Sequence, residues 1–510
     1  MTEQTRRLDP AVAATMMRTL LTQCDNGSWA SRPAPRVVET AVAAFALASA
    51  GSRDSRGVVS RARAWLFRDP PRTTAPAGAV LLEEALWSLG VDDGEPVRLP
   101  ALSRERADGF GDRYWFGLLV QVLAVQGDRP VTGGLPLPQL RDTVRDIADR
   151  TAREREDPRH AVEALAAHVL LERPLRADEA GWRALERLMA EQAPDGSYGE
   201  DVIATALALL ALGTVGAGGE AWRRARDHLI RVQDGDGAWP ARSADVIETA
   251  LTVRVFHDDP AFAEHALPGA LAFLRAAQRD DGGWGATQNA PSDASLTGLV
   301  LSALAGLPLP RRTTDRACSY LARRQNADGL WGEGRLGEET VAHVVAGLRL
   351  HRHTHRVPYE KAQAWLTERV GAAGPDPDSG WILGLPYAVH RTVDALGSAA
   401  PEALDAVRVL ATLQNADGGW PQTPGAASTP AATGTTLAVL EACGALTEER
   451  RAPALDYLLA GRNDGTGRPG ALTETVGPWP LPVRQAGLTR AFAAWGLTAT
   501  LGRACAGLPA

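Results

Sequence analysis

Six short stretches of this 510-residue chain share one signature: CDNGSWA at 24–30, APDGSYG at 193–199, GDGAWP at 235–240, DDGGWG at 280–285, ADGLWG at 327–332 and ADGGWP at 416–421. Tyr198 and Trp239 lie 41 residues apart, Trp284 follows after 45 and Trp331 after 47. The interval from Trp331 to Trp420 is 89 residues, about two periods, and SGW at Trp381 marks the step between them. A period near 45 is the mark of a repeated supersecondary unit, and it decides the fold class before any single motif does. Each unit has one grammar: a helical stretch ending in Gln (LIRVQ, FLRAAQ, YLARRQ, VLATLQ), the turn, then a more apolar helix such as ETALTVRVF, LTGLVLSAL, ETVAHVVAGL or GTTLAVLEA. Asp-Gly supplies the turn chemistry. The Trp packs over the turn and can offer its N–H to a carbonyl. No run alternates as a strand does. Helix pairs of this kind stack until the array closes, which predicts an all-α chain of two α/α barrels with the more apolar helices inside.

Bulk properties narrow the function classes. The length suits two sizeable domains, and 45% hydrophobic with 23% charged residues is a globular composition. A formal charge of −7 argues against a nucleic-acid partner. Cys24, Cys318, Cys443 and Cys505 form no metal-type spacing and read as small buried hydrophobes in a reducing, cytoplasmic setting. The N-terminus has no long apolar stretch of the signal-peptide kind. The run from Val202 to Gly219 reads as a buried helix of the repeat rather than a membrane span.

The turns resemble the QW motifs of squalene–hopene cyclases and terpene cyclases. The stretches between them resemble a narrower family, the two-domain class II terpene cyclases of the copalyl and halimadienyl diphosphate synthase type. ADVIETALTVRVF resembles that family's D-[LV]-F-E-x-x-W segment at Asp245 and Glu248, with Ile247 in place of Phe. GEETVAHVVAGL resembles its S-T-N-x-H-V-L helix at Thr340 and His343, with Val341 in place of Asn. DSGWILGLPYAVHRTVDAL resembles its D-K-W-x-x-x-P-Y-Y segment at Asp378, Trp381, Pro386 and Tyr387. VGPWPLPVRQAGL, with Trp479, resembles the approach to its last helix, and Arg36 matches an Arg of its first QW helix. The likeness runs from about Asp195 onward; the usual N-terminal SAYDTAW segment is not visible.

The resemblance implies a γ-like α barrel over 1–258 and a β-like α/α barrel over 259–510, the latter's first helix coming from elsewhere in the chain or being absent. It implies an isomerase, an intramolecular lyase of the copalyl or drimenyl diphosphate synthase type. Such an enzyme protonates the terminal alkene of farnesyl or geranylgeranyl diphosphate and keeps the diphosphate on a bicyclic, for instance diterpene, product. Mg2+ and a prenyl diphosphate are the implied cofactor and partner, followed by a downstream class I cyclase or phosphatase. The metal ligands are not assignable. Asp245, Glu248, Asp378, Trp381, Tyr387 and Trp479 are the implied substrate contacts, and Arg36 the diphosphate contact.

NAPSDASLTG, 289–298, falls where the family has D-x-D-D-T or D-x-D-T-T, whose middle Asp is the general acid. Protonating an unactivated alkene needs a carboxylic acid that is neutral, strong once protonated, and held dry against the π bond. Aligned without gaps, Asp293 takes the first position, Ser295 the acid's and Thr297 the last. A two-residue slide puts Asp293 in the acid's place, at the cost of misaligning the apolar pattern of the helix. Asp293 is therefore either an N-cap or an acid. His343, alone in an apolar helix, either orients the acid, serves as base, or is a hydrogen-bonded core residue. Glu39, Glu248 and Glu339 recur before a Thr, as first-turn acids of the repeat. The acidic pairs Glu83–Glu84 and Asp92–Asp93 read as solvated surface, and HRHTH at 351–355 as a polar loop. The competing reading is a cyclase-fold protein that binds a prenyl diphosphate without protonating it, and Ser295 speaks for it. A carbohydrate-active α/α barrel is disfavoured by the QW turns.

Overall fold

A computed structural model of the chain describes residues 24, 26–30, 33, 35–70, 77–100, 112–153, 161–172, 179–216, 219–241, 243–331, 337–354, 356–377, 379, 382, 384–460, 475–476, 483–484 and 486–506. The helices of the first part are α1 (Val37–Ser49), α2 (Arg56–Arg68), α3 (Ala77–Val91), α4 (Asp112–Gln126), α5 (Leu137–Arg153), α6 (Ala161–Leu171), α7 (Glu179–Ala190), α8 (Val202–Gly216) and α9 (Glu220–Val232). The second part holds α10 (Asp245–Phe256), α11 (Pro260–His265), α12 (Leu267–Ala276), α13 (Ala294–Ala303), α14 (Arg311–Arg324) and α15 (Gly337–Leu348). It ends with α16 (Arg356–Ala373), α17 (Leu385–Leu396), α18 (Pro401–Ala411), α19 (Pro430–Ala442), α20 (Glu448–Ala460) and α21 (Ala486–Ala506). Among the described residues strands are limited to two-residue pairs: Val97–Arg98 beside Val131–Thr132, and Thr475–Val476 beside Val483–Arg484. The all-α expectation holds.

Two closed rings result. In the first, α1, α3, α4, α6 and α8 pack neighbour to neighbour and α8 returns to α1. In the second, α10, α13, α15, α17, α19 and α21 do the same, α21 closing on α10. The remaining longer helices lie outside, each on an inner partner. Side-chain pattern explains the sorting. The outer helix α9 buries only Trp222, Ala225, His228 and Leu229, a single stripe. The inner helix α1 is buried on every side from Val37 to Leu47, and α8, the run that might suggest a membrane span, has the same character. Among the described residues no helix is long and apolar enough to cross a membrane.

The turns hold the layers together through a fixed set of bonds. Each Trp indole N–H donates to a carbonyl ten residues back: Trp239 to Leu229 (2.9 Å), Trp284 to Leu274 (2.6 Å), Trp331 to Leu321 (2.7 Å) and Trp420 to Leu410 (3.0 Å). The Gln before each turn is bidentate. Gln278 donates to Gly282 O within its turn and to Thr313 O on the next outer helix, both at 2.9 Å. Gly282 sits at φ +95, and a Cβ there would stand 2.5 Å from Arg316 O, so neither the backbone nor the space admits another residue.

The third bond reveals how the chain is routed. In the two regular units the backbone N–H of the Trp donates to a Thr on the following inner helix: Trp284 to Thr297 Oγ1 (3.0 Å) and Trp420 to Thr433 Oγ1 (2.9 Å). Trp239 instead donates back to Thr40 on α1 (3.0 Å), and Trp29 donates forward to Thr249 on α10 (2.9 Å). The segments that make this exchange run side by side, bridging at Pro35 and Pro240. Trp29 also stacks on Phe262, 5.5 Å between centroids. Thus the 24–30 turn and α10 pack with later helices, while the 235–240 turn closes the first ring. Sequence spacing alone does not show this exchange, because the two turns look like their neighbours.

Two smaller expectations need correction. Cys24 is exposed, whereas Cys318 is buried. Glu83 is only partly solvated: burial raises its pKa despite the nearby Arg36, with Glu39, Asp69 and Glu84 adding repulsion. Asp92 and Asp93 are exposed as expected, and HRHTH follows α15 through a short 3-10 turn at Arg349–His351.

Candidate active site

Asp293 is the N-cap of α13. Its φ and ψ are extended, and its Oδ1 accepts the N–H of Leu296 at 2.9 Å. Its own N–H donates to Trp284 O at 2.9 Å. Thr429 makes the same set in the later unit: it caps α19 by accepting from Ala432 N–H (3.1 Å) and donates its N–H to Trp420 O (3.0 Å). The cap is therefore part of the repeat. Thr297 and Thr433 are likewise equivalent, each accepting the Trp N–H, and Thr297 also donates its hydroxyl to Asp293 O at 2.7 Å. Thr297 is thereby explained as scaffold.

Two residues into α13, the sequence leaves the repeat. Ser295 stands where Ala431 stands in α19, and its Oγ lies 2.8 Å from His343 Nδ1. His343 Nε2 lies 2.8 Å from the Tyr387 hydroxyl. These three come from α13, α15 and α17, consecutive inner helices, and all are buried. Burial, then the charge of Arg391, holds the His343 pKa down at about 3, so the imidazole is neutral at ordinary pH. Tyr387 is pushed well above its usual value, chiefly by burial. A neutral imidazole has one donor and one acceptor nitrogen, so Ser295 and Tyr387 play opposite parts in the row.

Around this row the bore is apolar and aromatic. Ile247, Leu251, Ala286, Leu296, Leu299, Leu488 and Phe492 form one buried apolar cluster with Tyr387. Tyr387 meets Phe492 edge-on at 5.6 Å and His390 at 5.5 Å; His390 meets Trp495 at 4.5 Å. Ser302 is seven residues past Ser295, about 10 Å along the axis. There Arg254 and Asp394 close the column with a bidentate pair (2.6 and 2.9 Å), and Ser302 donates to Asp394 at 2.8 Å. Arg254 Cζ lies 5.6 Å from the Trp495 ring centre. His390 is also held neutral, its pKa brought to about 3 by burial.

The other residues singled out from sequence scatter. Asp245 begins α10 and accepts Val246 N–H at 2.8 Å. Glu248 is buried, and its carboxylate lies against Gly487 in the first turn of α21, where a side chain would collide with it. Arg36 precedes α1 in the first ring and forms an ion pair with Glu39; it does not line the bore of the second. Asp378, Trp381 and Trp479 lie outside the described residues. His390, Asp394, Arg254, Phe492 and Trp495 went unnoticed in the sequence. One signal for the first two was present: Tyr387, His390, Arg391 and Asp394 recur at helical spacing on an inner helix, where apolar residues are the rule.

Among the described residues no three His, Cys, Asp or Glu side chains come together as a metal site.

Comparison with known proteins agrees with this geometry. Residues 197–334 match the squalene-hopene cyclase C-terminal domain, and residues 388–475 the prenyltransferase alpha-alpha toroid domain. The chain is 30% identical over 322 residues to a drimenyl diphosphate synthase of Streptantibioticus cattleyicolor, covering 59% of this chain and 54% of that one. It is 31% identical over 159 residues to a drimenyl diphosphate synthase of Streptomyces showdoensis, covering 28% of this chain and 30% of that one. The matches thus span about half or less of these curated relatives. In fold, an ent-copalyl diphosphate synthase from Streptomyces platensis superposes over 96% of this chain and 99% of its own, with a TM-score of 0.55 at 18% identity. The resemblance read from the residues is borne out: over parts of its length the chain is similar to squalene-hopene cyclase and prenyltransferase toroid domains and to drimenyl diphosphate synthases, and in fold to an ent-copalyl diphosphate synthase.

Proposed function

We propose that the protein is a class II cyclase of farnesyl or geranylgeranyl diphosphate, forming a bicyclic diphosphate. The observation that carries this reading is the buried Ser295–His343–Tyr387 row, set among apolar and aromatic side chains and beginning two residues beyond Asp293. In this reading residues 36–240 are the γ-like barrel. The β-like barrel takes α10 and the 24–30 turn from the N-terminal side of the 258/259 boundary.

The chemistry is an isomerisation. An acid O–H adds its proton to the terminal alkene, and the resulting tertiary cation is attacked by the next two double bonds. Loss of a proton from carbon restores an alkene and leaves the formula unchanged. Asp293, the carboxyl group at the start of α13 with its Oδ1 engaged by the cap, is the general acid in this reading. His343, being neutral, holds Ser295 and Tyr387 in place and can accept a proton, but does not donate one as an imidazolium. The faces of Tyr387, Phe492 and Trp495 stabilise passing cations, and the buried wall excludes water that would quench them. In this reading Asp245 and Glu248 are substrate contacts, and Arg36 is the diphosphate contact. Mg2+ would come with the diphosphate, which the cation prefers over an all-protein cage.

The test is incubation of the full chain and its variants with farnesyl and geranylgeranyl diphosphates plus Mg2+, dephosphorylation, and mass spectrometry of the alcohols. A bicyclic alcohol from one substrate is expected, with a loss of about a hundredfold or more in Asp293→Asn. An Asp293→Asn enzyme as fast as the wild type sinks the acid assignment. Ser295→Asp distinguishes the two frames: a faster enzyme means the acid's position is 295. Tight binding of a prenyl diphosphate with no product from any of them favours the non-protonating alternative, which Ser295 makes concrete.

A further inference from the structure

A second buried polar cluster stands beside the row and has no part in the chemistry above. Arg391 on α17 is 1% exposed and faces Glu338 and Glu339 at the start of α15, at 3.2 and 3.4 Å. Charge balance alone would be met by those two carboxylates. The guanidinium nevertheless donates two further bonds to backbone carbonyls of the segment before α17, to Asp376 O at 2.5 Å and Ser379 O at 2.6 Å. The carboxylates reach the same segment from the other side. Glu338 Oε1 accepts Asp376 N–H at 2.8 Å, and Glu339 Oε2 accepts Ile382 N–H at 3.4 Å. Glu339 N–H in turn donates to Ser379 Oγ at 3.3 Å. Three buried charges are thus aimed at the backbone of one short loop.

That loop delivers a residue to the bore. Ile382 is buried among Ala286, Leu296, Tyr387 and Leu488, the residues at the N-terminal mouth of the second ring. Burying an ion triad is often no more stabilising than burying apolar groups of the same volume, so fold stability alone is a weak reason to have one here. Fixing a loop is a better one: backbone groups at a bore wall need partners, and these charges provide them on both sides.

We propose that Arg391 is a positioning residue of the cyclisation site: with Glu338 and Glu339 it holds the backbone at Asp376, Ser379 and Ile382 and so sets Ile382 in the apolar cluster around the row. Its geometry stands alone, but its catalytic consequence rests on the cyclase reading. A cation folding in the bore is steered by the shape of that cluster. A loosened Ile382 admits alternative folds and water, giving mixed and hydroxylated products.

The test compares wild type, Arg391→Met and Arg391→Lys as full chains, by amide hydrogen exchange without ligand and by product analysis with both prenyl diphosphates. In Arg391→Met, exchange across 374–385 should rise about tenfold or more while peptides from α13 and α19 stay as in the wild type. Its product should change from one bicyclic alcohol to a mixture, with kcat reduced and KM within about twofold. Arg391→Lys keeps a charge for the carboxylates but cannot hold both carbonyls, so it should restore melting temperature more than product fidelity. Unchanged exchange at 374–385, an equal rise throughout the second ring, or an unaltered product profile overturns the proposal. A wild type that yields no product sinks the cyclase reading and the catalytic consequence together, while the exchange data still decide the lock.

Discussion

Asp293 shows how a single residue can satisfy a structural rule and still be open to chemistry. Its cap bond is the one Thr429 makes in a unit with no row beside it, so capping explains why an oxygen is needed at 293 but not why it is a carboxyl. Asn caps as well as Asp. Asp293→Asn should therefore leave stability within about 0.5 kcal/mol, whereas Asp293→Ala should cost about 1 kcal/mol in denaturant titration. A rate lost in the Asn variant then reports the acid and not the fold. The histidines give a pH signature. His343 and His390 are held at about 3, below the ordinary value of 6.5, so the unfolded chain binds protons that the folded chain refuses. Their neutral burial is harmless above pH 6.5, and stability falls as the pH drops from there toward 3. Between pH 6.5 and 5 the loss should be about 2 kcal/mol per histidine. His343→Gln should flatten the urea midpoint against pH, and a curve as steep as the wild type's would contradict the burial of that ring. The sequence made Asp293 and His343 visible as a choice between plain alternatives. It could not make Arg254 or Trp495 visible, since Arg254 meets Asp394 from 140 residues away and Trp495 meets Arg254 from the far end of the chain.

At the scale of elements, the turns were legible and the helix contacts were not. Gln, Asp-Gly and Trp occur in a fixed local order, and their bonds reach carbonyls ten residues back or the next outer helix. How close two inner helices come is decided across 45 residues, by residues that look incidental. Gly298 on α13 faces the backbone of α15: a Cβ there would lie 2.5 Å from His343 C and O. Gly347 faces Gly298 O in return, at 2.6 Å. This contact brings Ser295 within hydrogen-bonding distance of His343. Gly298→Ala should cost about 1–3 kcal/mol, because backbone cannot give way as a side chain would. It should also move Ser295 away from His343, lowering turnover in excess of the lost stability. A variant that melts lower but turns over normally would show that the row is not needed at its present spacing.

For the molecule as a whole, the exchange of turns matters more than any boundary. Trp29 and Thr249 join across 220 residues, and Trp239 and Thr40 across 199. A repeat read along the chain predicts barrels in series, and the turns after NAPSDASLTG were legible because that part does run in series. The nested routing was not, because nothing local distinguishes the turn at 24–30 from the turn at 235–240. Trp29→Ala removes a buried stacked ring and should cost about 3–5 kcal/mol. The lost exchange protection should appear in α10 and α11, far along the chain, while α1 to α9 keep theirs. Loss confined to α1 would contradict the routing.

The same routing sets an order of assembly during synthesis. The ring of α1 to α9 has all its parts once the ribosome has passed Trp239 and can close while the rest is still being made. The other ring begins with a turn near residue 29 and closes only when α21, which packs on α10, has emerged. Its first segment must wait, unpaired, until Thr249 and Phe262 have been made, and the ring then stays open until the last helix arrives. The candidate site lies in that late ring, so catalytic competence is the last property the nascent chain acquires, and a ribosome stalled before α21 releases a protein with one finished barrel and no workable bore.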